Sequence, residues 1–223
     1  MTTIRVLLVD DQPMIRTGFR LILEAEPDIT VVAEAGDGHH AVDDTRALQP
    51  DVVLMDIRMP GMDGVEATRR IVDSGSPSRV IILTTFDLDE HVHDALRAGA
   101  SGFLVKDGPA DSLVGAIRTV AEGDAVISPR VTRRLLDRFS RLADQEPPEV
   151  PRSLDALTAR ELDVLRALTR GLSNAEIAQE LHVSEATVKT HVAHILDKYR
   201  LRDRVQAVIL AYDTGLVRPT VGP

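Results

Sequence analysis

Within the first 121 residues, five short runs of branched apolar residues alternate with segments whose apolar side chains recur every three or four positions. The runs are Ile4–Val9, Ile29–Ala33, Asp51–Asp56, Arg79–Thr84 and Gly102–Val105. Continuous apolar runs of this length read as strands buried on both faces of a parallel sheet. The intervening spacing predicts helices over Pro13–Ala25, His39–Leu48, Val65–Val72, Leu88–Ala98 and Pro109–Ala121. Pro50 stops the second of these, and Pro109 suits the first turn of the last. Such alternation implies an α/β fold, a doubly wound five-stranded parallel sheet with right-handed crossovers.

The residues that close the strands matter more than the strands. Asp10 and Asp11 follow the first run, Asp56 closes the third, Thr84 closes the fourth and Lys106 follows the fifth. In an open parallel sheet, ligands bind outside the carboxyl ends of the strands, near the reversal of strand order. All five side chains should therefore converge in one crevice. Three carboxylates held together are costly unless a cation neutralises them. Hard oxygen donors with room for water suit Mg²⁺ or Mn²⁺. Lys106 is a point charge for a carboxylate or a phosphoryl group, and Thr84 can donate to a phosphoryl oxygen.

Charge divides the chain. Residues 1–122 carry 11 Lys/Arg against 21 Asp/Glu, residues 123–152 carry 6 against 5, and residues 153–223 carry 9 against 9. The stretch Ala143–Ser153 has three prolines and three acids, the composition of a linker. Ser128–Leu142 before it has helical spacing, which fits packing on the first domain or dimerisation. The expected organisation is residues 1–122 as an α/β domain, 123–152 as a linker with a helix at 128–142, 153–217 as an all-α domain, and 218–223 as a tail. There are no cysteines, which excludes disulfide scaffolds, thiolate metal sites and cysteine nucleophiles. No run approaches the roughly 18 apolar residues of a membrane span. The expected location is the cytoplasm.

After the linker, strand signals stop. Thr158 and Glu161 form a capping box before a helix over Ala159–Thr169. Ser173 or Asn174 caps a second helix that runs through Leu181, and Ser184 caps a third over Glu185–Tyr199. A fourth is expected over Arg202–Tyr212. Four helices with a very short turn between the second and third suggest a helix-turn-helix. On the third helix, Val188, Val192 and Ile195 share one face, while Lys189, Thr190, Ala193 and His194 point outward. Lys198 adds positive charge near its far end. His191 and His194 stand i and i+3 on this helix, with no third metal ligand evident in the sequence.

Two stretches resemble known families. Residues 1–122 are similar to the receiver domain of response regulators, through Val-Asp10-Asp11, Leu-Met-Asp56-Ile-Arg-Met-Pro60-Gly61-Met-Asp63-Gly64, Leu-Thr84-Thr and Gly102-Phe103-Leu-Val-Lys106. Residues 153–217 resemble the LuxR-type DNA-binding domain, through Leu157-Thr158-Ala-Arg160-Glu161, Gly171-Leu-Ser-Asn174-Ala-Glu176-Ile177-Ala178 and Val183-Ser184-x-x-Thr187-Val188-Lys189-x-His191. Together they look like a NarL/FixJ-type response regulator, with a flavodoxin-like sheet. The resemblance implies that Asp56 accepts a phosphoryl group from a sensor histidine kinase. It implies Mg²⁺ on Asp11, Asp56 and the Arg58 backbone carbonyl, with Asp10 assisting through water. Thr84 and Lys106 would then bind phosphoryl oxygens, and Phe103 would be the switch aromatic. The protein would form a homodimer on activation and read two half-sites of double-stranded DNA through Lys189, Thr190, Ala193, His194 and Lys198. Apart from its own phosphoryl transfer and slow dephosphorylation, it would not be an enzyme. Many receivers carry proline after the lysine, whereas this chain has Asp107.

Two other readings are separable. A constitutive DNA-binding regulator with a vestigial receiver would bind DNA equally with and without a phosphodonor. A Mg²⁺-dependent phosphatase using Asp56 would turn over phosphate esters, but it leaves the second half of the chain unexplained.

Overall fold

The computed structural model describes residues 3–84, 94–123, 153–217 and the backbone of 126–127. The chain divides into two compact units, Met1–Ser128 and Pro129–Pro223. The first holds strands β1 (Ile4–Val9), β2 (Ile29–Ala35), β3 (Val52–Asp56), β4 (Arg79–Thr84), β5 (Gly102–Val105) and β6 (Val126–Ile127). Its helices are α1 (Pro13–Glu24), α2 (Gly38–Leu48), α3 (Gly64–Asp73), α4 (described at 94–97) and α5 (Ala110–Ala121). The remainder of the helix expected over Leu88–Ala98, and the helix expected at 128–142, lie outside the described residues.

All strand pairs are parallel, in the order β2-β1-β3-β4-β5-β6. The five expected strands are present. The sixth has only two residues, too few to produce a readable pattern, and it extends the edge beside β5. Strand order reverses between β1 and β3, which places the crevice of a doubly wound sheet there.

Alternation along each strand sends side chains to opposite faces. Val6, Leu8, Val52, Leu54, Ile81 and Leu83 pack with Leu23 of α1 and Leu113, Val114, Ile117 and Val120 of α5. Their neighbours Leu7, Val53, Met55, Ile82 and Phe103 face the other way and are equally buried. Both faces are covered, which is why these runs carry almost no polar residue until they end.

The second unit holds α6 (Ala159–Thr169), α7 (Asn174–Leu181), α8 (Glu185–Tyr199) and α9 (Arg204–Asp213). Thr158 and Ser173 each form a capping box, with Glu161 and Glu176. Ser184 caps α8 by accepting from the Thr187 N–H at 3.1 Å. The last helix starts two residues later than expected, because the Asp203 carboxylate accepts from the Val205 and Gln206 N–H groups and sets the cap there. Val164, Leu165 and Leu168 of α6 meet Ile177 of α7 and Val188, Val192 and Ile195 of α8 in one core. Among the described residues, no helix is long and apolar enough to cross a membrane.

Candidate functional site: an acidic crevice and an exposed recognition helix

The crevice is built by strand ends. Asp10 follows β1, Asp56 ends β3, Thr84 ends β4 and Lys106 follows β5, where its N–H donates to the Thr84 carbonyl at 2.7 Å. The Lys106 ammonium lies 2.6 Å from Asp10 Oδ2 and 2.8 Å from Asp56 Oδ1. All three side chains are almost fully shielded, at 6% exposure or less. Asp10 also accepts from the Gln12 N–H at 2.9 Å. Asp11, the most accessible of the carboxylates, completes a group of three whose oxygens all lie within 4.8 Å of one another.

The balance of charge in this crevice is uneven. Three carboxylates face one ammonium, so the ionised cluster carries a net −2. Burial pushes the Asp56 carboxyl up from its ordinary range. The bond and charge of Lys106 pull it back, and the neighbouring Asp10 pushes it up again. For Lys106, burial works against the ammonium, but its bonds to Asp10 and Asp56 outweigh that and raise it. A net −2 assembled from hard oxygen donors, open to water on the Asp11 side, is the environment a divalent cation neutralises. The residues present therefore fit Mg²⁺.

The loop after β3 is held close. Gly64 opens α3 against the end of β3, where a Cβ would stand 2.0 Å from the Asp56 carbonyl oxygen. Only glycine permits that approach. The exposed Arg58 and Asp63 line an open recess beside Asp11. Phe103 is buried on the sheet face opposite Leu104, with 1% exposure, so its ring sits inward. No cis peptide occurs among the described residues, and Lys106–Asp107 is trans.

In the second unit, α7 and α8 are joined by His182, Val183 and Ser184, with His182 in the left-handed region at φ 54°. This is the short turn of a helix-turn-helix. Lys189, Thr190, Ala193 and His194 are exposed on α8. Lys198 is also exposed on α8, and its ammonium lies 2.6 Å from Oε2 of the buried Glu161. Separating that pair would strand a buried carboxylate, so Lys198 serves as a tie between α8 and α6. Glu161 is the residue that sequence reasoning undervalued. It was legible as a cap, but a partner 37 positions away leaves no spacing signal. The same fold brings Glu161 beside His191 and His194, supplying the third potential ligand that the sequence did not reveal.

An acidic-crevice α/β unit and a helix-turn-helix unit in one chain define a two-part regulator. Residues 6–118 match the response regulator receiver domain, and residues 155–211 match the LuxR family of bacterial regulatory proteins. The chain is 43% identical over 215 residues to the transcriptional regulatory protein YxjL of Bacillus subtilis (strain 168), covering 96% of this chain and 98% of that one. It is 43% identical over 209 residues to the nitrate/nitrite response regulator protein NarP of Escherichia coli (strain K12), covering 94% of each. The crystal structure of the response regulator ChrA, from a heme-sensing two-component system, superposes with a TM-score of 0.54 at 40% identity, covering 97% of this chain and 100% of that one. This chain belongs to the two-component response regulators that join a receiver to a LuxR-type DNA-binding domain and regulate transcription.

Proposed function

We propose that Asp56 accepts a phosphoryl group from a sensor histidine kinase, and that this switches the chain to a DNA-binding homodimer. The observation that carries the reading is the crevice itself: a lysine bridging two buried carboxylates, in a site still two charges short of neutrality. Asp10, Asp11 and Asp56, with the Arg58 backbone carbonyl, are the residues that would hold Mg²⁺ (or Mn²⁺). When bound, the ion supplies neutralisation of the anionic nucleophile and of the transferring oxygens.

The residues do the rest. An Asp56 oxygen attacks phosphorus, the N–P bond of the phosphohistidine breaks, and the imidazole leaves. Lys106 exchanges its carboxylate partner on Asp56 for a phosphoryl oxygen, and Thr84 donates its hydroxyl to another. Phe103, already inward, follows the position of Thr84. The domain limits that accompany this reading are a receiver over 1–122, a linker over 123–152, a DNA-binding domain over 153–217 and a tail over 218–223. In the DNA-binding domain, Lys189, Thr190, Ala193, His194 and Lys198 are the residues that meet DNA. Lysine suits guanine or phosphate oxygens, and alanine suits a thymine methyl. A symmetric dimer reads two half-sites. Such a regulator works in the cytoplasm, where its DNA is.

The test is labelling by an acyl phosphate donor with Mg²⁺, followed by DNA titration at one fixed salt concentration. Wild type should take one phosphoryl group and bind DNA more tightly; Asp56→Asn should do neither. Label persisting on the same peptide of the variant would refute Asp56 as acceptor. Equal DNA affinity with and without donor would favour the constitutive reading.

A further inference from the structure

Among the described residues, a second group of ligating side chains outside the crevice lies in the second unit, where α8 meets the start of α6. Glu161, His191 and His194 each offer one ligand atom, and these atoms all lie within 4.8 Å of one another. They grade from buried Glu161, through half-buried His191, to exposed His194, so a ligand can enter from solvent. His191 Nδ1 is shielded from water and has no hydrogen-bond partner among the described residues. Buried polar atoms are ordinarily hydrogen-bonded, so a shielded imidazole nitrogen left unsatisfied needs an explanation.

The glutamate divides its work between its oxygens. Oε2 accepts from Lys198 at 2.6 Å, from the Thr158 N–H at 2.7 Å and from the Thr158 hydroxyl at 3.0 Å. Oε1 lies 3.7 Å from His194 Nδ1, too far for a hydrogen bond. That separation suits a shared ion: two donors on one tetrahedral Zn²⁺, with bonds of about 2.0–2.1 Å, stand roughly 3.3 Å apart.

We propose that Glu161, His191 and His194 form a site for a borderline divalent transition ion, Zn²⁺ foremost, that fastens the recognition helix α8 to the first turn of α6. Two imidazoles and one carboxylate are a recognised donor set for this ion, and a fourth position stays open to water or a phosphate oxygen. The ion takes Oε1 while Lys198 keeps Oε2, so the two cations share one carboxylate. The site is therefore weaker than one built on an undivided glutamate, and its occupancy follows the metal supply. Because His194 also lies on the exposed face of α8, an ion there places positive charge beside the DNA-facing surface.

The test uses the full chain with excess Mg²⁺, which occupies hard-oxygen sites, and titrates Zn²⁺ and, separately, Co²⁺ as a spectroscopic reporter. Wild type should bind one equivalent of Zn²⁺, give the visible bands of four-coordinate Co²⁺, and unfold at a higher temperature when loaded. His194→Ala lies on an exposed helical position that alanine tolerates; it should lower Zn²⁺ affinity about tenfold or more and abolish the bands. Glu161→Gln keeps a capping-box partner and should also weaken uptake. Asp56→Asn should retain it. No uptake by wild type, or uptake and spectrum unchanged in His194→Ala, would overturn the proposal.

Discussion

The two units bury charge in opposite ways. In the receiver, one ammonium faces three carboxylates, and the shortage is left standing in a crevice that opens to water beside Asp11. In the DNA-binding domain, the buried Glu161 is answered by Lys198 and by the Thr158 N–H and hydroxyl. An imbalance of buried charge is tolerated where a ligand will complete it; a balanced pair is architecture. Mutating each site should therefore have a different dependence on added Mg²⁺.

The largest effect should come from Lys106→Ala. It leaves Asp10 and Asp56 facing each other without a cation, and removing one member of a buried pair costs about 3–5 kcal/mol. The lower end applies because the crevice is partly open. The variant should nevertheless bind Mg²⁺ more tightly than wild type, since a competing positive charge has gone. Chemical denaturation with and without Mg²⁺ separates the two effects. Loss of both stability and Mg²⁺ affinity would mean that the lysine merely holds the strand ends together.

Next in size is Mg²⁺ itself. At about 100 times its dissociation constant, an ion bound only by the folded state adds about 2.7 kcal/mol. The gain should appear in the unfolding of the receiver and leave that of the DNA-binding domain unmoved. Equal stabilisation of both would erase the contrast between them.

Most of the fold could be read in advance because the strands are built mainly of branched apolar residues, with few polar ones inside them. Asp56, Thr84 and Lys106 mark the carboxyl edge of the sheet as clearly as the runs mark its interior. What escaped had no local signature. The tie from Lys198 to Glu161 spans 37 positions. Arg16 reaches from α1 to the Asp10 carbonyl at 2.5 Å while its guanidinium pairs with Glu34, an anchor behind the crevice that no spacing foretold. The two-residue β6 is defined only by its neighbour β5. Asp203 is a capping residue by type, and its carboxylate sets the start of α9 where apolar periodicity alone runs two residues earlier.

The balanced pair has its own pH signature. Burial works against the Glu161 carboxylate, but its bonds to Lys198 and Thr158 prevail and hold it down at about 2, from an ordinary 4.5. A depressed carboxyl contributes stability that is complete above its unfolded value and lost as pH falls through its folded one. The window runs from about pH 4.5 down to about 2. Glu161→Gln should cost roughly 2–3 kcal/mol at neutral pH, on the scale of 1.36 kcal/mol per pKa unit, and the gap from wild type should close across that window. A gap independent of pH would assign the loss to packing.

The smallest effect tests whether the second unit presents its helix as finely as it balances its charge. The Ser184 hydroxyl accepts from the Thr187 N–H at 3.1 Å and is the side-chain cap of α8. Replacing such a cap by alanine costs about 1 kcal/mol, and the loss falls on the first turn, just before Lys189 and Thr190. Ser184→Ala should therefore weaken DNA binding about fivefold at fixed salt while leaving phosphoryl labelling of the receiver unchanged. DNA affinity equal to wild type would mean that contact with the groove rebuilds the turn without its cap. The helix start would then be shaped by DNA, and only the receiver crevice would be set in advance of its ligand.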